Sequence, residues 1–149
     1  MSTQAVQDYL KVIYTLSVAS ETVTTGEIAQ RLGVTQPSAT NMVKRLARQG
    51  LVTYAPYRAV TLTAEGRTVA SAVVRRHRLL ELYLESVLGI DRERIHAEAE
   101  RLEHALSDSL EARLDELLGH PTLDPHGEPI PQPEERTEPP PPRELRRHG

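Results

Sequence analysis

The chain has 149 residues, a formal net charge of −3 and no cysteine, phenylalanine or tryptophan. This length allows one compact domain or two small ones, and the lack of cysteine excludes disulfides, thiolate metal ligands and cysteine nucleophiles. Any metal must therefore be bound by imidazole and carboxylate groups, and an aliphatic core favours packed helices.

The N-terminus lacks the basic and apolar regions of a signal peptide, and no stretch approaches the roughly 18 apolar residues of a membrane span. We therefore expect a cytoplasmic protein. Residues 1–63 carry six basic and three acidic side chains, a balance of +3, whereas the remainder carries 12 basic and 18 acidic ones, a balance of −6. A basic N-terminal part suits a phosphate backbone and an acidic remainder suits cations, although uneven surface decoration produces the same split.

The first three predicted elements are helices. An apolar stripe from Val6 to Leu16 predicts the first helix. Thr24 opens a second helix, and Thr35 is a suitable N-cap for a third, which tolerates Pro37 in its first turn. The third helix has a polar side made of Gln36, Ser38, Thr40, Asn41, Lys44 and Arg48.

Two short β-prone runs follow, at residues 51–54 and 59–63. They flank a turn and predict a hairpin. A helix, a turn, a polar-faced helix and a hairpin together predict a winged helix-turn-helix DNA-binding domain over residues 1–63.

Two long helices are predicted over residues 64–119. The first carries apolar side chains at three- or four-residue steps and stops at Gly89, and the second carries an unbroken stripe from Ile95 to Leu117. Two such stripes exceed what one winged helix can cover, so we expect an α-helical dimerisation domain and a homodimer. An intramolecular two-helix cap is the alternative.

Residues 120–149 contain nine of the eleven prolines. This composition predicts an extended or disordered tail. The tail is either only solvated or a proline-rich segment that binds a partner. The fold is therefore predicted to be mainly α, with a winged helix, a helical domain and a tail.

Histidine and glutamate residues of the two long helices have spacings that suit metal binding. They are His77 and Glu81 in the first helix, and His96, Glu100, Glu103 and His104 in the second. Side chains three or four residues apart share a helix face, so two facing helices can form a site of nitrogen and oxygen ligands. The ordinary alternatives are surface carboxylates for Glu100 and Glu103 and a core histidine for His77.

The chain resembles the diphtheria-toxin-repressor family of metal-dependent transcription regulators. The resemblance extends over residues 5–131 in the family's order. It is carried by Asp8–Tyr14, the winged helix, Arg76–Glu81, Ile95–His104 and the start of the tail from His120 to Pro131.

The resemblance implies two metal sites. The primary site would consist of Asp8, Glu100, Glu103 and His104, and the ancillary site of His77, Glu81 and His96. Iron-sensing members carry Met and Cys where this chain has Asp8 and Glu100, and replacing sulfur by carboxylate favours Mn²⁺, as in the manganese-sensing branch. That branch typically has a glutamate where this chain has Lys11, so the branch's closely spaced pair of metals is not expected here. Many relatives complete the ancillary site from a third domain. We expect a short form without that domain, in which water completes the site or the site is weaker.

These inferences predict a Mn²⁺-activated homodimeric repressor of metal-uptake or metal-homeostasis genes that binds double-stranded, palindromic DNA. Without metal, the clustered carboxylates are expected to repel one another and leave a loose hinge. The residues expected near base edges are Thr35, Gln36, Pro37, Ser38, Thr40 and Asn41, and those expected at phosphates are Lys44, Arg45, Arg48 and Arg58.

Three alternatives remain open. The first is an Fe²⁺-responsive repressor of the same family, because carboxylate and imidazole sites also bind Fe²⁺. The second is a metal-independent winged-helix regulator that senses a small ligand. The third is a metallohydrolase that activates a metal-bound water, although the sequence has no nucleophile loop and an enzyme is not expected.

Overall fold

A computed structural model describes residues 3–55, 57 and 59–133. Its elements in chain order are α1 (Gln4–Ala19), α2 (Thr25–Leu32), α3 (Gln36–Arg48), β1 (Val52–Thr53), β2 (Thr61–Leu62), α4 (Ala64–Ser86), α5 (Arg92–Leu102) and α6 (Asp108–Leu117). The fold is mainly helical with a small antiparallel wing, which confirms the predicted fold class. Among the described residues, no helix combines the length and the apolar character that crossing a membrane requires.

The two helices of the helix-turn-helix begin at the residues that the sequence predicts. The hydroxyl of Thr24 accepts a hydrogen bond from the Glu27 N–H, and the Glu27 carboxylate accepts one from the Thr24 N–H, which forms a capping box at α2. Thr35 caps α3 by accepting from the Ser38 N–H. Gly33, which ends α2, has a φ of 70°, a left-handed conformation that glycine adopts readily. Local hydrogen bonds therefore set the turn between α2 and α3.

The core of the N-terminal region is aliphatic and lies between α1, α2, α3 and the wing. Its largest fully buried side chains are Leu10, Ile13, Val23, Ile28, Val43, Leu46 and Val60. The Val60 N–H donates to the Val23 carbonyl at 2.7 Å, which ties the segment before α2 to the wing. Helix α4 packs against both α1 and α5, so it connects the two regions of the chain.

Helix α4 starts in close contact with the wing. The Thr63 hydroxyl accepts from the Gly66 N–H at 3.0 Å, and the Thr63 N–H donates to the Leu51 carbonyl at 3.0 Å. A Cβ added to Gly66 would lie 1.9 Å from the Leu51 oxygen, closer than any side-chain atom can approach. Glycine at this position therefore allows α4 to pack against the strand.

The second long helix is not continuous, and this part of the prediction is wrong. The chain leaves the helical conformation after Leu102, and Ser107 begins α6 by accepting from the Leu110 N–H at 3.2 Å. Serine is a preferred N-cap residue. Because a new helix begins at Ser107, the leucine stripe is divided between two helices. Glu103 and His104 consequently lie in the turn that follows α5.

Residues 120–133 have defined contacts, in contrast to the disordered tail expected for residues 120–149. The Ile130 side chain is buried, and its N–H donates to the Thr122 carbonyl at 2.9 Å. The remainder of the predicted tail, residues 134–149, lies outside the described residues.

A buried arginine attaches this segment and α6 to α4. Arg75 donates from Nε to Glu111 Oε2 at 2.7 Å and from Nη1 to the Pro131 carbonyl at 3.1 Å, and its Nη2 lies 3.3 Å from Asp115 Oδ1. A guanidinium group presents several donors in a fixed plane, so one side chain can join three segments.

Candidate metal centres and nucleic-acid interface

The residues Asp8, Glu103 and His104, here called the primary centre, meet where α1 contacts the turn after α5. His104 Nε2 lies 3.0 Å from Asp8 Oδ1 and 3.5 Å from Glu103 Oε2. Each of the three residues offers a ligand atom within 4.8 Å of the others. His104 Nδ1 donates to the Gln7 side-chain oxygen at 2.6 Å, which directs Nε2 toward the carboxylates. Two carboxylates and an imidazole form a donor set that fits a divalent cation such as Mn²⁺ or Fe²⁺.

Glu103 is the most buried member of the primary centre, with an exposed fraction of 0%. Its Oε1 accepts from His77 Nδ1 at 2.5 Å, and its Oε2 accepts from Lys11 Nζ at 2.6 Å. Burial alone would raise the pKa of Glu103, but the hydrogen bonds from His77 and Lys11 lower it below its ordinary value. Burial raises the pKa of Asp8, and the opposing charges of His104 and Lys11 only partly offset this.

Positively charged partners therefore lie beside the carboxylates in the structure, which the expectation of mutual repulsion did not include; the loose hinge stays a prediction. The Lys11–Glu103 and Asp8–His104 pairs both join α1 to the turn after α5. The position of the Lys11 ammonium among the carboxylates was not predicted from the sequence.

Glu100 lies apart from the other residues of the predicted primary site. Its Oε2 is 3.5 Å from Lys11 Nζ and 3.4 Å from His96 Nε2, and 49% of its side chain is exposed. Glu100 thus lies between the two predicted sites, and its role as a ligand stays a prediction.

The residues His77, Glu81 and His96, here called the ancillary centre, are brought together by α4 and α5. Glu81 Oε2 lies 3.1 Å from His77 Nε2 and 3.2 Å from His96 Nδ1. Burial would lower the pKa of His77, but hydrogen bonds to Glu103 and Glu81 outweigh it and raise the pKa. Burial would raise the pKa of Glu81, but hydrogen bonds from His77 and His96 lower it. His77 therefore contacts a carboxylate of each centre.

Two potential ligands beside the ancillary centre were missed by the sequence analysis. Asp124 and His126 form a further group with Glu81, with ligand atoms within 4.8 Å of one another. The buried Asp124 accepts from the N–H groups of His126 at 2.9 Å and Glu128 at 2.8 Å, which fixes the turn that carries both residues. The closely spaced Asp and His could have signalled them, but the segment was assigned to the tail.

Helix α3 presents most of its predicted polar side to solvent. The exposed residues are Thr35, Gln36, Pro37, Ser38, Asn41, Lys44, Arg45 and Arg48, and Thr40 is half-buried. The Thr35 and Ser38 hydroxyls lie 3.0 Å apart and are engaged at the helix cap. Arg58, the predicted wing contact, lies outside the described residues.

Helix α6 has an apolar side that the described part of the chain leaves uncovered. None of its residues is buried, and Leu110 and Leu117 are more than half exposed. Leu102 at the end of α5 is also exposed. Exposed leucines on adjacent helices are typical of a helix–helix interface.

Two family models match consecutive parts of the chain. The model described as "Iron dependent repressor, N-terminal DNA binding domain" matches residues 1–60, and that described as "Iron dependent repressor, metal binding and dimerisation domain" matches residues 63–132. The chain belongs to the iron-dependent repressor family. This membership confirms the resemblance inferred from the sequence, and the family is one of transcriptional repressors rather than enzymes.

Individual relatives include iron- and manganese-dependent regulators. The chain is 42% identical to the diphtheria toxin repressor of Corynebacterium diphtheriae and 43% identical to the iron-dependent repressor IdeR of Mycobacterium tuberculosis, in each case over 123 residues that cover 83% of this chain and 54% of the relative. The solved structure of a manganese-dependent transcriptional repressor in complex with manganese has 50% identity and a TM-score of 0.81, and the match covers 87% of this chain and 59% of that one. The manganese regulator SloR has 41% identity and a TM-score of 0.76, over 85% and 59% of the two chains. The chain thus spans less than two thirds of these relatives.

Proposed function

We propose that the chain is a metal-activated DNA-binding repressor that acts as a homodimer, responds to Mn²⁺ and controls genes of metal uptake or homeostasis. The convergence of Asp8 with Glu103 and His104 carries this proposal. Asp8 belongs to the DNA-binding region, and the other two residues belong to the metal-binding and dimerisation region. A ligand that binds all three residues stabilises one relative orientation of the two regions.

Asp8, Glu103 and His104 would bind the cation, with Glu100 as the predicted fourth ligand. A bound divalent cation supplies an electrostatic cross-link between α1 and the turn after α5. Because α1 packs with α2, fixing α1 also fixes the helix-turn-helix on the dimerisation region. In a dimer this sets the distance between the two α3 helices, which must lie roughly 34 Å apart to enter successive major grooves.

The donor atoms and one relative favour manganese. The primary centre has only oxygen and nitrogen donors, and hard donors of this type suit Mn²⁺. A manganese-dependent repressor is also among the similar structures. Fe²⁺ is the second candidate, because the same donors bind it and the chain is 43% identical to an iron-dependent repressor.

The ancillary centre would bind a second cation through His77, Glu81 and His96. Asp124 and His126 lie on the other side of Glu81 and would add ligands from within the described chain. An Asp124→Ala variant should bind fewer ions per chain in anaerobic equilibrium dialysis with Mn²⁺ and keep the ion at the primary centre. An unchanged ion count would argue against a ligand role for Asp124.

The solvent-exposed side of α3 would read the operator. Thr35, Gln36, Pro37, Ser38, Thr40 and Asn41 would approach base edges, and Lys44, Arg45, Arg48 and Arg58 would contact phosphates. All described members of this set except the half-buried Thr40 are exposed, which supports the assignment.

The assignment of Asp8 can be tested with a matched pair of variants. Asp8→Ala removes a predicted ligand, and Asp91→Ala removes an exposed carboxylate whose side chain makes no capping hydrogen bond. Mn²⁺ should strengthen DNA binding by the wild type and by Asp91→Ala, but not by Asp8→Ala. Full metal-dependent binding by Asp8→Ala would refute the primary centre, and no metal response in any of the three proteins would support a metal-independent regulator.

A further inference from the structure

Lys11 of α1 places a positive charge among the carboxylates of the primary centre. Its Nζ lies 2.6 Å from Glu103 Oε2 and 3.5 Å from Glu100 Oε2, and only 12% of its side chain is exposed. The same Glu103 oxygen lies 3.5 Å from His104 Nε2. The Lys11 ammonium and the His104 imidazole therefore approach the same oxygen of Glu103.

The Lys11 ammonium compensates a buried negative charge. Glu103 has no exposed surface, and a buried carboxylate is destabilising unless a positive charge or hydrogen bonds compensate it. Lys11 supplies that charge across 92 positions of sequence. A cation bound by Asp8, Glu103 and His104 would supply it as well, so the two positive charges would compete for Glu103 and repel each other at short range.

We propose that Lys11 is a built-in counter-cation, which holds Glu103 in the metal-free chain and is displaced from it when a divalent cation enters the primary centre. The inference rests on the proposed metal-binding function. The displaced ammonium turns toward solvent. Because metal binding must break the Lys11–Glu103 pair, Lys11 raises the metal concentration at which the primary centre fills.

The wild-type chain offers an internal reference for the first test. It contains two lysines, Lys11 and Lys44, and Lys44 is exposed on α3. The acetylation rate of each lysine by a water-soluble N-hydroxysuccinimide ester is followed by mass spectrometry, without DNA, in chelator and in saturating Mn²⁺. In chelator, acetylation of Lys11 should be much slower than that of Lys44. Mn²⁺ should accelerate acetylation of Lys11 severalfold and leave Lys44 unchanged.

An unchanged or slower reaction of Lys11, in protein that calorimetry shows to bind Mn²⁺, would overturn the inference. Absence of Mn²⁺ binding in the same calorimetry would instead refute the proposed function, and the inference with it. The two failures are therefore distinguishable.

A second test uses Lys11→Met, with Lys11→Arg as the conservative variant and Arg94→Met as a control that removes an exposed charge from α5. Lys11→Met should lower the Tm of the metal-free protein and also lower the Kd for Mn²⁺, by about tenfold if the lost pair is of ordinary strength for a partly buried charge. Lys11→Arg and Arg94→Met should stay close to the wild type.

Opposite changes in stability and metal affinity distinguish a counter-cation from a residue that only supports the fold. A merely structural lysine would weaken both properties when replaced, and that result, or an unchanged Kd, would overturn the inference. If Lys11→Met does not fold, the acetylation experiment on the wild type decides.

Discussion

The substitution Glu103→Gln tests the buried link between the two centres. Glutamine keeps the volume of the side chain but removes the charge that faces Lys11 and His77. Removing one partner from a buried ion pair typically costs about 3–5 kcal/mol. Lys11 keeps Glu100 at 3.5 Å and His77 keeps Glu81 at 3.1 Å, so we expect a smaller loss of about 2–3 kcal/mol in the metal-free protein.

For a chain of this size, that loss corresponds to a decrease in Tm of roughly 5–10 °C. The variant should also lose most of the Tm increase that Mn²⁺ gives the wild type, because a neutral amide is a poor ligand in place of a carboxylate. Thermal unfolding followed by circular dichroism, with chelator and with Mn²⁺ at constant pH and ionic strength, measures both effects.

Glu116→Gln is the matched control, since this glutamate of α6 is 62% exposed and pairs only with Arg113 in the described structure. Its free energy of unfolding should change by less than about 0.5 kcal/mol. If Glu103→Gln were as stable as this control and were still stabilised by Mn²⁺, Glu103 would be neither the buried charge nor the ligand described above.

Three further predictions concern the wing, the ancillary centre and the DNA-binding surface. Gly66→Ala should destabilise the fold by about 2–3 kcal/mol in urea denaturation, because the added Cβ would lie 1.9 Å from the Leu51 oxygen. Gly26→Ala is the control: its Cβ would have no contact closer than 3.8 Å, so the substitution should be neutral or stabilising. The pKa of His77 is raised above 6.5. The protonated imidazole should therefore stabilise the metal-free protein fully below pH 6.5, and this stabilisation should be lost as the pH rises through the raised pKa. Urea denaturation from about pH 6 to 9 should show this loss in the wild type and not in His77→Gln. Calorimetry should show Mn²⁺ affinity rising over the same range, because binding requires the deprotonated imidazole. Lys44→Ala should weaken binding to all DNA sequences alike. It should also reduce the slope of the logarithm of the binding constant against the logarithm of salt concentration by roughly 2 per dimer, at about 0.9 per lost phosphate contact. An unchanged slope would place Lys44 away from the phosphates.

Local sequence signals predicted the N-terminal half well. Thr24 and Thr35 act through hydrogen bonds within a few residues of their own position, so their effects can be read without the fold. The same holds for the spacing of His77 and Glu81, which share a side of α4. Such short-range patterns also carried the family resemblance.

Features that depend on tertiary contacts could not be predicted in this way. The leucine stripe from Ile95 to Leu117 gives no sign of the break before Ser107, since its period continues through the turn. The pairing of Lys11 with Glu103 depends on how α1 lies against the turn after α5. Likewise, residues 120–133 contact α4 through side chains such as Arg75, which nothing local distinguishes from its basic neighbours.

Metal activation is best tested by the affinity of the purified protein for the DNA upstream of its own gene, at fixed salt, in chelator and after anaerobic addition of Mn²⁺ or Fe²⁺. Chelation should weaken binding by about 5- to 150-fold, the usual range of allosteric coupling. Mn²⁺ should restore binding at a lower free concentration than Fe²⁺. Restoration by Fe²⁺ at the lower concentration would identify iron as the effector, and equal affinity with chelator and with either metal would contradict metal activation altogether.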